Sequence, residues 1–356
     1  MQTNGPAELA ESLGVVWADE HLAKVRSALE GVGSLDADLI ARLQEQFPGE
    51  SDADHSGIPV FRDLLRIEGR RPRFRRLLRV WAGKLTSAIR AGDLERAEAW
   101  MRALVKQPTY PAEFSDLVEQ TLDEISRRQV LDDFMVTLAS DEEPTAGAGL
   151  VAAWGERMAR YLVDAMAREV PPVNRRYLVE ALGWLGREDV RLLAAMVADP
   201  RWYIARNLAI ALGKTGRPQA SVALEALLDH PDDRVRVEAL RAMASLRKDE
   251  SLPSLVAALG DASGRVRHAA VSLLRASPSP RVIPLLVDVL SSNAVSVDEA
   301  ERLVEVIAER NDPSVPDVLQ GLAGRRFAMG MTRIVRDAAR EALEAKEARE
   351  ALEARR

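Results

Sequence analysis

Three segments decide the fold: Ile204-Ala205-Arg206-Asn207-Leu208-Ala209-Ile210-Ala211-Leu212, Val235-Arg236-Val237-Glu238-Ala239-Leu240-Arg241-Ala242-Met243 and Val266-Arg267-His268-Ala269-Ala270-Val271-Ser272-Leu273-Leu274. They begin 31 residues apart. A fixed period of that size marks stacked supersecondary units rather than one closed core. Within each segment the apolar residues recur at helical spacing, as Val235, Ala239, Leu240 and Met243 do, and again Val266, Ala270, Leu273 and Leu274. A break follows each: Gly213-Lys214-Thr215-Gly216-Arg217-Pro218, Arg247-Lys248-Asp249-Glu250, and Ser277-Pro278-Ser279-Pro280. A second helix then runs through Leu224 and Leu228, Leu255 and Leu259, and Leu286 and Leu290, with the same 31-residue spacing. Pro253 and Pro284 fall early in those helices, where a missing N–H costs little. The returns are short and turn-like: Asp199-Pro200, His230-Pro231-Asp232-Asp233, and Asp261-Ala262-Ser263-Gly264.

The pattern extends both ways with decay. Residues 174–183 align with 204–213 at an offset of 30, with 190–198 as their second helix. Downstream, 297–307 and 315–322 form a more polar pair, and 335–343 restore the first-helix pattern. The expectation is about five helix pairs and a C-terminal helix, with atypical ends that face water. The tail from Glu341 to Arg356 is rich in helix formers, with Leu343 and Leu352 its large apolar residues. That predicts an exposed helix rather than a coiled coil.

Val235-Arg236-x-x-Ala239-x-x-Ala242, Val266-Arg267-x-x-Ala270 and Val335-Arg336-x-x-Ala339 resemble the HEAT repeat family, in particular the short bacterial form first named for phycobilisome lyases. Asp199-Pro200-Arg201-Trp202-Tyr203-Ile204-Ala205-Arg206-Asn207 is similar to the opening of many such arrays. The resemblance covers roughly half the chain. It implies an all-α HEAT-type solenoid whose second helices line a concave face. It is nearly silent on function, since such arrays serve as scaffolds, adaptors, nucleic-acid binders and a few enzymes.

Composition agrees with close-packed helices. Of 356 residues, 47% are hydrophobic but only 4% aromatic, and alternating β-branched runs are scarce. The net charge of −6 argues against indiscriminate nucleic-acid binding. The chain has no cysteine, which excludes disulfides, thiolate nucleophiles and cysteine-based zinc sites. The N-terminus lacks a basic patch followed by an apolar stretch, and no apolar run approaches the ~20 residues of a membrane span. A cytoplasmic protein without membrane contact is the expectation.

The organisation expected is an irregular helical region over 1–150 and the solenoid with its capping helix over 151–356. Helices are expected near 7–30, 37–46, 60–67, 73–91, 94–105, 113–138 and 150–168, with a polar loop at 49–57 and a linker at 141–149. The hairpin near 81–108, with Trp81, a Gly92-Asp93 turn, Ala97 and Met101, resembles a lone tetratricopeptide unit. Charge falls in blocks: −8 over 1–60, +8 over 61–110, −8 over 111–150, and +2 over the rest.

Two places are candidate partner-binding sites. The first is the arginine block Arg70, Arg71, Arg73, Arg75, Arg76 and Arg79, interleaved with Phe74. Guanidinium forks suit phosphate oxygens, but flanking acidic blocks favour pairing within the fold or a solvated helix face. An acidic protein partner and nucleic acid are the alternatives. The second is Trp202, Tyr203, Arg206 and Asn207 at the start of one repeat, a mixture suited to peptide recognition. The same residues also suit packing between repeats, with the arginine reaching a neighbouring acceptor. The second helices at 221–229, 251–260 and 282–290 carry no Lys or Arg, which makes that face a poor nucleic-acid site.

Catalytic signatures are missing. His21, His55, His230 and His268 form no metal-ligand spacing, and none sits in the His-Glu pair of the di-iron HEAT hydroxylases. Neither a glycine-rich phosphate loop nor a Gly-x-Ser-x-Gly elbow occurs. The expected function is a non-enzymatic scaffold or adaptor with a protein partner and no cofactor. Nucleic-acid binding through 70–79 is the first alternative, and a lyase-like or enzyme accessory role, suggested by the family name, is the second.

Overall fold

The computed structural model describes residues 57–105, 110–140, 147–168, 172–292, 295–324 and 331–353. Among these residues there is no strand, and no helix is long and apolar enough to cross a membrane. The chain divides into two compact units, Met1–Ala165 with Val170–Tyr177, and Met166–Glu169 with Leu178–Arg356. The helices expected at 7–30 and 37–46 lie outside the described residues, as do residues 49–56 of the polar loop and 141–146 of the linker.

The first unit is built from α1 (Gly57–Ile67), α2 (Arg71–Ala91), α3 (Leu94–Val105), α4 (Ser115–Ile125), α5 (Arg128–Ser140), α6 (Ala148–Trp154) and most of α7 (Glu156–Met166). Helix α2 is its axis. Phe74, Leu77, Leu78, Trp81, Leu85, Ala88 and Ile89 fall on one stripe by their spacing of three and four, and all are buried. Pro72 sits at the start of α2, where its lost N–H is harmless. Gly92 ends the helix at φ +79, with its N–H donating to the Ile89 carbonyl at 3.1 Å. The Asp93 carboxylate then caps α3 by accepting the Arg96 N–H at 2.9 Å. The buried Trp81 joins α2 to α3 by donating Nε1–H to the Trp100 carbonyl at 2.7 Å.

Two helices expected to be continuous are broken. The span 113–138 is a short 3₁₀ turn followed by α4 and α5, separated at Ser126-Arg127. There the Ser126 hydroxyl and its backbone N–H both donate to the Leu122 carbonyl, at 2.6 and 3.0 Å, and close the last turn of α4. The span 150–168 divides into α6 and α7 at Gly155, whose φ of +57 few other residues adopt.

The second unit stacks pairs of helices. The C-terminal part of α8 (Pro172–Glu188) precedes α9 (Val190–Ala194), followed by α10 (Trp202–Lys214) with α11 (Ser221–Leu228) and α12 (Asp233–Arg247) with α13 (Leu252–Ala257). Then come α14 (Gly264–Ala276) with α15 (Val282–Ser292), α16 (Val297–Ala308) with α17 (Val315–Ala323), and α18 (Met331–Glu353). The 31-residue period is physical: Leu212, Met243 and Leu274 are buried in successive first helices, and Leu224, Leu255 and Leu286 in successive second helices. Each such leucine contributes about 1.5–3 kcal/mol on leaving water. Helices α10 and α12 approach closely at Gly213, where an added Cβ would lie 2.9 Å from the Ala242 Cβ. The first-helix echo and the tail as far as Glu353 form one helix, α18. Val335 and Ala339 on it are buried, and Ala338, Ala342 and Leu343 pack partly against the core.

Arginines tie one repeat to the next. Arg236 and Arg267 occupy the same position one period apart, and each Nη1 donates to carbonyls five and six residues upstream. Arg236 reaches Pro231 and His230 at 3.1 and 2.8 Å; Arg267 reaches Ala262 and Asp261 at 3.1 and 3.0 Å. The other donors cross to the following repeat. Arg236 grips Asp261 in a two-pronged pair at 2.9 and 2.7 Å, and Arg267 holds the buried Glu299 at 2.9 Å.

Candidate functional site

An Asp-x-Arg sequence opens two successive first helices. Before α10, Asp199 Oδ1 accepts both the backbone N–H and the Nε–H of Arg201 at 2.9 Å. Before α12, Asp232 Oδ1 accepts the same two groups of Arg234 at 3.0 and 2.9 Å, and its Oδ2 accepts from Nη2 at 2.7 Å. An Asx-type turn of this sort starts the helix and fixes the arginine side chain at once. The side-chain bond from Arg234, with the backbone bond and the attraction of the charge, holds the Asp232 carboxyl down at about 2 against the opposing pull of burial.

So oriented, the Arg234 guanidinium lies 3.3 Å over the Trp202 ring. Trp202 also meets Tyr203 edge to face, with centroids 6.0 Å apart. Four residues farther along α10, Arg206 donates to Glu238 of α12 at 2.8 Å, and Glu238 accepts a longer bond from Arg241 at 3.2 Å. Trp202, Arg206, Arg234, Glu238 and Arg241, together with α14, bound a groove of about 670 Å³ across the first helices of three successive repeats. Val237, Ala269 and Leu273 give it apolar lining, and Arg265, His268 and Ser272 complete the α14 side.

The structure separates the sequence-predicted residues. Trp202 and Arg206 line the groove, whereas Tyr203 and Asn207 do not; the Asn207 side chain faces Met166 Sδ at 3.7 Å. Most of the lining was missed in the sequence, yet five pairs of it are 31 residues apart: Arg206 and Val237, Arg234 and Arg265, Val237 and His268, Glu238 and Ala269, Arg241 and Ser272. The period that reveals the fold therefore also carries the signal for the groove.

The arginine block lies around the first half of α2. Arg71 forms an ion pair with Asp116 of α4, and Arg90 at the far end of the same helix lies 3.6 Å from Asp133 of α5. The Arg70 N–H donates to Glu68 at 2.8 Å. Arg75 and Arg79 stand exposed, Arg73 and Arg76 half-buried, with Phe74 in the core against Phe114 at a centroid distance of 4.7 Å. Phe74 is therefore not available for base stacking. On the second helices, Val222 is exposed, as are Pro253 and Pro284 one and two periods on.

No group of three or more His, Asp or Glu residues that would hold a metal occurs among the described residues. His230 serves the backbone: its Nδ1 accepts the Asp232 N–H at 3.0 Å. His21 and His55 lie outside the described residues.

Among known proteins, the model of the family described as HEAT repeats matches residues 159–236 and 220–303. No curated protein matches the sequence of this chain. Among solved structures, an engineered protein is 19% identical over 97% of this chain and 99% of its own, with a TM-score of 0.31. The complex of CpcE and CpcF of phycocyanin lyase from Nostoc sp. PCC7120 is 15% identical over 76% of this chain and 94% of that one, with a TM-score of 0.25. Neither likeness is close enough to bear on function. The matched span runs from α7 into α16 and takes in the stacked pairs that carry the 31-residue period, so residues 159–303 are similar to HEAT repeats.

Proposed function

We propose that this chain is a non-enzymatic, cytoplasmic scaffold or adaptor that holds a protein partner on its helical-repeat surface. Arrays of this kind present extended preformed surfaces, and protein interaction is their general use. The observation that carries the reading is the groove across α10, α12 and α14, where a half-buried tryptophan, an apolar strip and several arginines lie side by side. Its walls are held by bonds between repeats, so a partner segment binds with little ordering of the receptor. Its amphipathic lining is that of a contact surface rather than a reaction centre.

The test is recovery of partners of the tagged chain from native lysate, with and without nuclease, beside a variant carrying Trp202→Ala and Arg241→Glu. A stoichiometric protein that survives nuclease and is lost with the variant is the expected result. Recovery of nuclease-sensitive material alone would refute the reading and move attention to Arg75, Arg76 and Arg79.

A further inference from the structure

We infer that the groove is a receptor for an acidic protein segment, with Arg241 and Arg265 as the two residues that take its carboxylates; this rests on reading the array as a protein scaffold. The inference comes from the charge balance of the lining, which holds four arginines against one glutamate. Two of the four are already matched. Arg206 has Glu238 at 2.8 Å, and Arg234 has both oxygens of Asp232 beneath its Nε and Nη2 while its face covers Trp202.

The other two are not. Arg241 shares the oxygen of Glu238 that Arg206 already holds, at the longer distance of 3.2 Å, and its side chain is 58% exposed. Arg265 has Asp233 only at 3.9 Å, beyond hydrogen-bonding range, and its side chain is 66% exposed. Both therefore keep donors for an incoming anion. His268 and Ser272 lie with them along the α14 side, three and seven residues after Arg265.

The spacing of the two arginines describes the occupant. Arg234 is the counterpart of Arg265 one period back, so Arg241 and Arg265 are offset by seven positions along the helix axis, about 10 Å. They also sit on neighbouring helices, about 9 Å apart. The resulting separation of roughly 14 Å between their backbone positions matches two acidic side chains about four residues apart on an extended segment. Between them the strip of Val237, Ala269 and Leu273 suits an aliphatic side chain. A nucleic acid fits less well. Its regular phosphates would meet Glu238 within the groove and Asp232 and Asp233 beside it, and two spare arginines release few counterions.

The test is a random dodecamer peptide library displayed against the intact chain, followed by anisotropy titration of the enriched peptides. The expected peptides carry two Asp or Glu residues three to five positions apart around an aliphatic residue. Affinity should fall at least tenfold in the double variant Arg241→Glu, Arg265→Glu, and less than threefold with Arg281→Glu, an exposed change outside the groove. Arg241→Lys with Arg265→Lys should retain an intermediate affinity, and matching circular dichroism melts exclude unfolding as the cause. Enrichment of basic or neutral peptides, or equal binding by the double variant, would overturn the acidic-segment inference and leave the scaffold reading intact. Equal competition by a 20-nucleotide oligo-dT at physiological salt would overturn it in favour of nucleic acid. If no peptide is enriched at all, both the inference and the scaffold reading fall.

Discussion

Replacing Arg236 by alanine should be the most costly single change on the polar side of the array. Its guanidinium makes four bonds: two to Asp261 at 2.9 and 2.7 Å, and two to the His230 and Pro231 carbonyls at 2.8 and 3.1 Å. The two side chains are 14% and 15% exposed, so solvent screens the pair little. Removing one partner of a fully buried pair costs about 3–5 kcal/mol. Here Asp261 keeps the Ser263 N–H at 2.7 Å, and the freed carbonyls lie at a turn that water reaches, which lowers the cost to about 2–3 kcal/mol. For a folding unit of this size that is a fall in Tm of roughly 5–10 °C. The assay is thermal and urea unfolding followed by helical ellipticity, with Asp261→Ala and the double variant completing a cycle. A coupling of 1 kcal/mol or more between the two residues is expected. Arg275 provides the comparison, since its side chain is 44% exposed and it meets Glu305 and Glu309 only at 3.5 and 3.3 Å; its loss should cost under about 1 kcal/mol. Equal Tm values for Arg236→Ala and Arg275→Ala, or a coupling near zero, would refute the claim that the arginine braces adjacent repeats.

Three further outcomes follow from the packing. Gly213→Val should lower the urea midpoint by the equivalent of about 1–3 kcal/mol, because its Cβ would stand 2.9 Å from that of Ala242; an unchanged midpoint would mean that α10 and α12 separate freely. Arg310→Ala should speed amide exchange in the last turn of α14, since the guanidinium donates to the Leu274 and Ser277 carbonyls at 2.8 Å and to Ser279 at 3.2 Å; unchanged protection there would show that the contact does not hold the helix end. Acid should destabilise the array as pH falls from about 4 towards 2. Asp232, at about 2 through its bond to Arg234, and Asp199, lowered by Arg201, both titrate below the ordinary carboxylate range, near 3.9. Folded-state values below the unfolded ones mean that their stabilisation is complete above pH 4 and disappears as the folded forms take up protons. Tm measured against pH should show this loss, and Asp232→Asn should flatten part of it; parallel curves for the variant and the parent would contradict the assignment.

The array was legible because its signals are periodic and one-dimensional. Leu212, Met243 and Leu274 announce themselves by spacing, and so do the carbonyl-bonded Arg236 and Arg267. Breaks were legible only where the residue itself enforces them. Gly155, with its positive φ, could have been read as a stop, whereas the break at Ser126-Arg127 has neither glycine nor proline to announce it. The groove was half legible for a geometrical reason. Trp202, Tyr203, Arg206 and Asn207 are neighbours in sequence, but successive residues on a helix point about 100° apart, so only Trp202 and Arg206 reach it. The residues that share their surface come from the next two helices. The repeat offset, rather than adjacency, was the search rule that would have found them.

Stability and recognition meet in the same part of the array. Arg241 lies on α12 and Arg265 on α14, and the distance between them is set by how those two helices pack. The Arg236–Asp261 pair ties α12 to the turn that leads into α14, on side chains outside the groove. In a solenoid each repeat touches only its neighbours, so no distant element corrects a change in that spacing. A brace between two adjacent first helices therefore also sets the separation of the carboxylates that the groove can accept. Charge selects an acidic segment, and the packing of two repeats selects the interval at which its acids must fall.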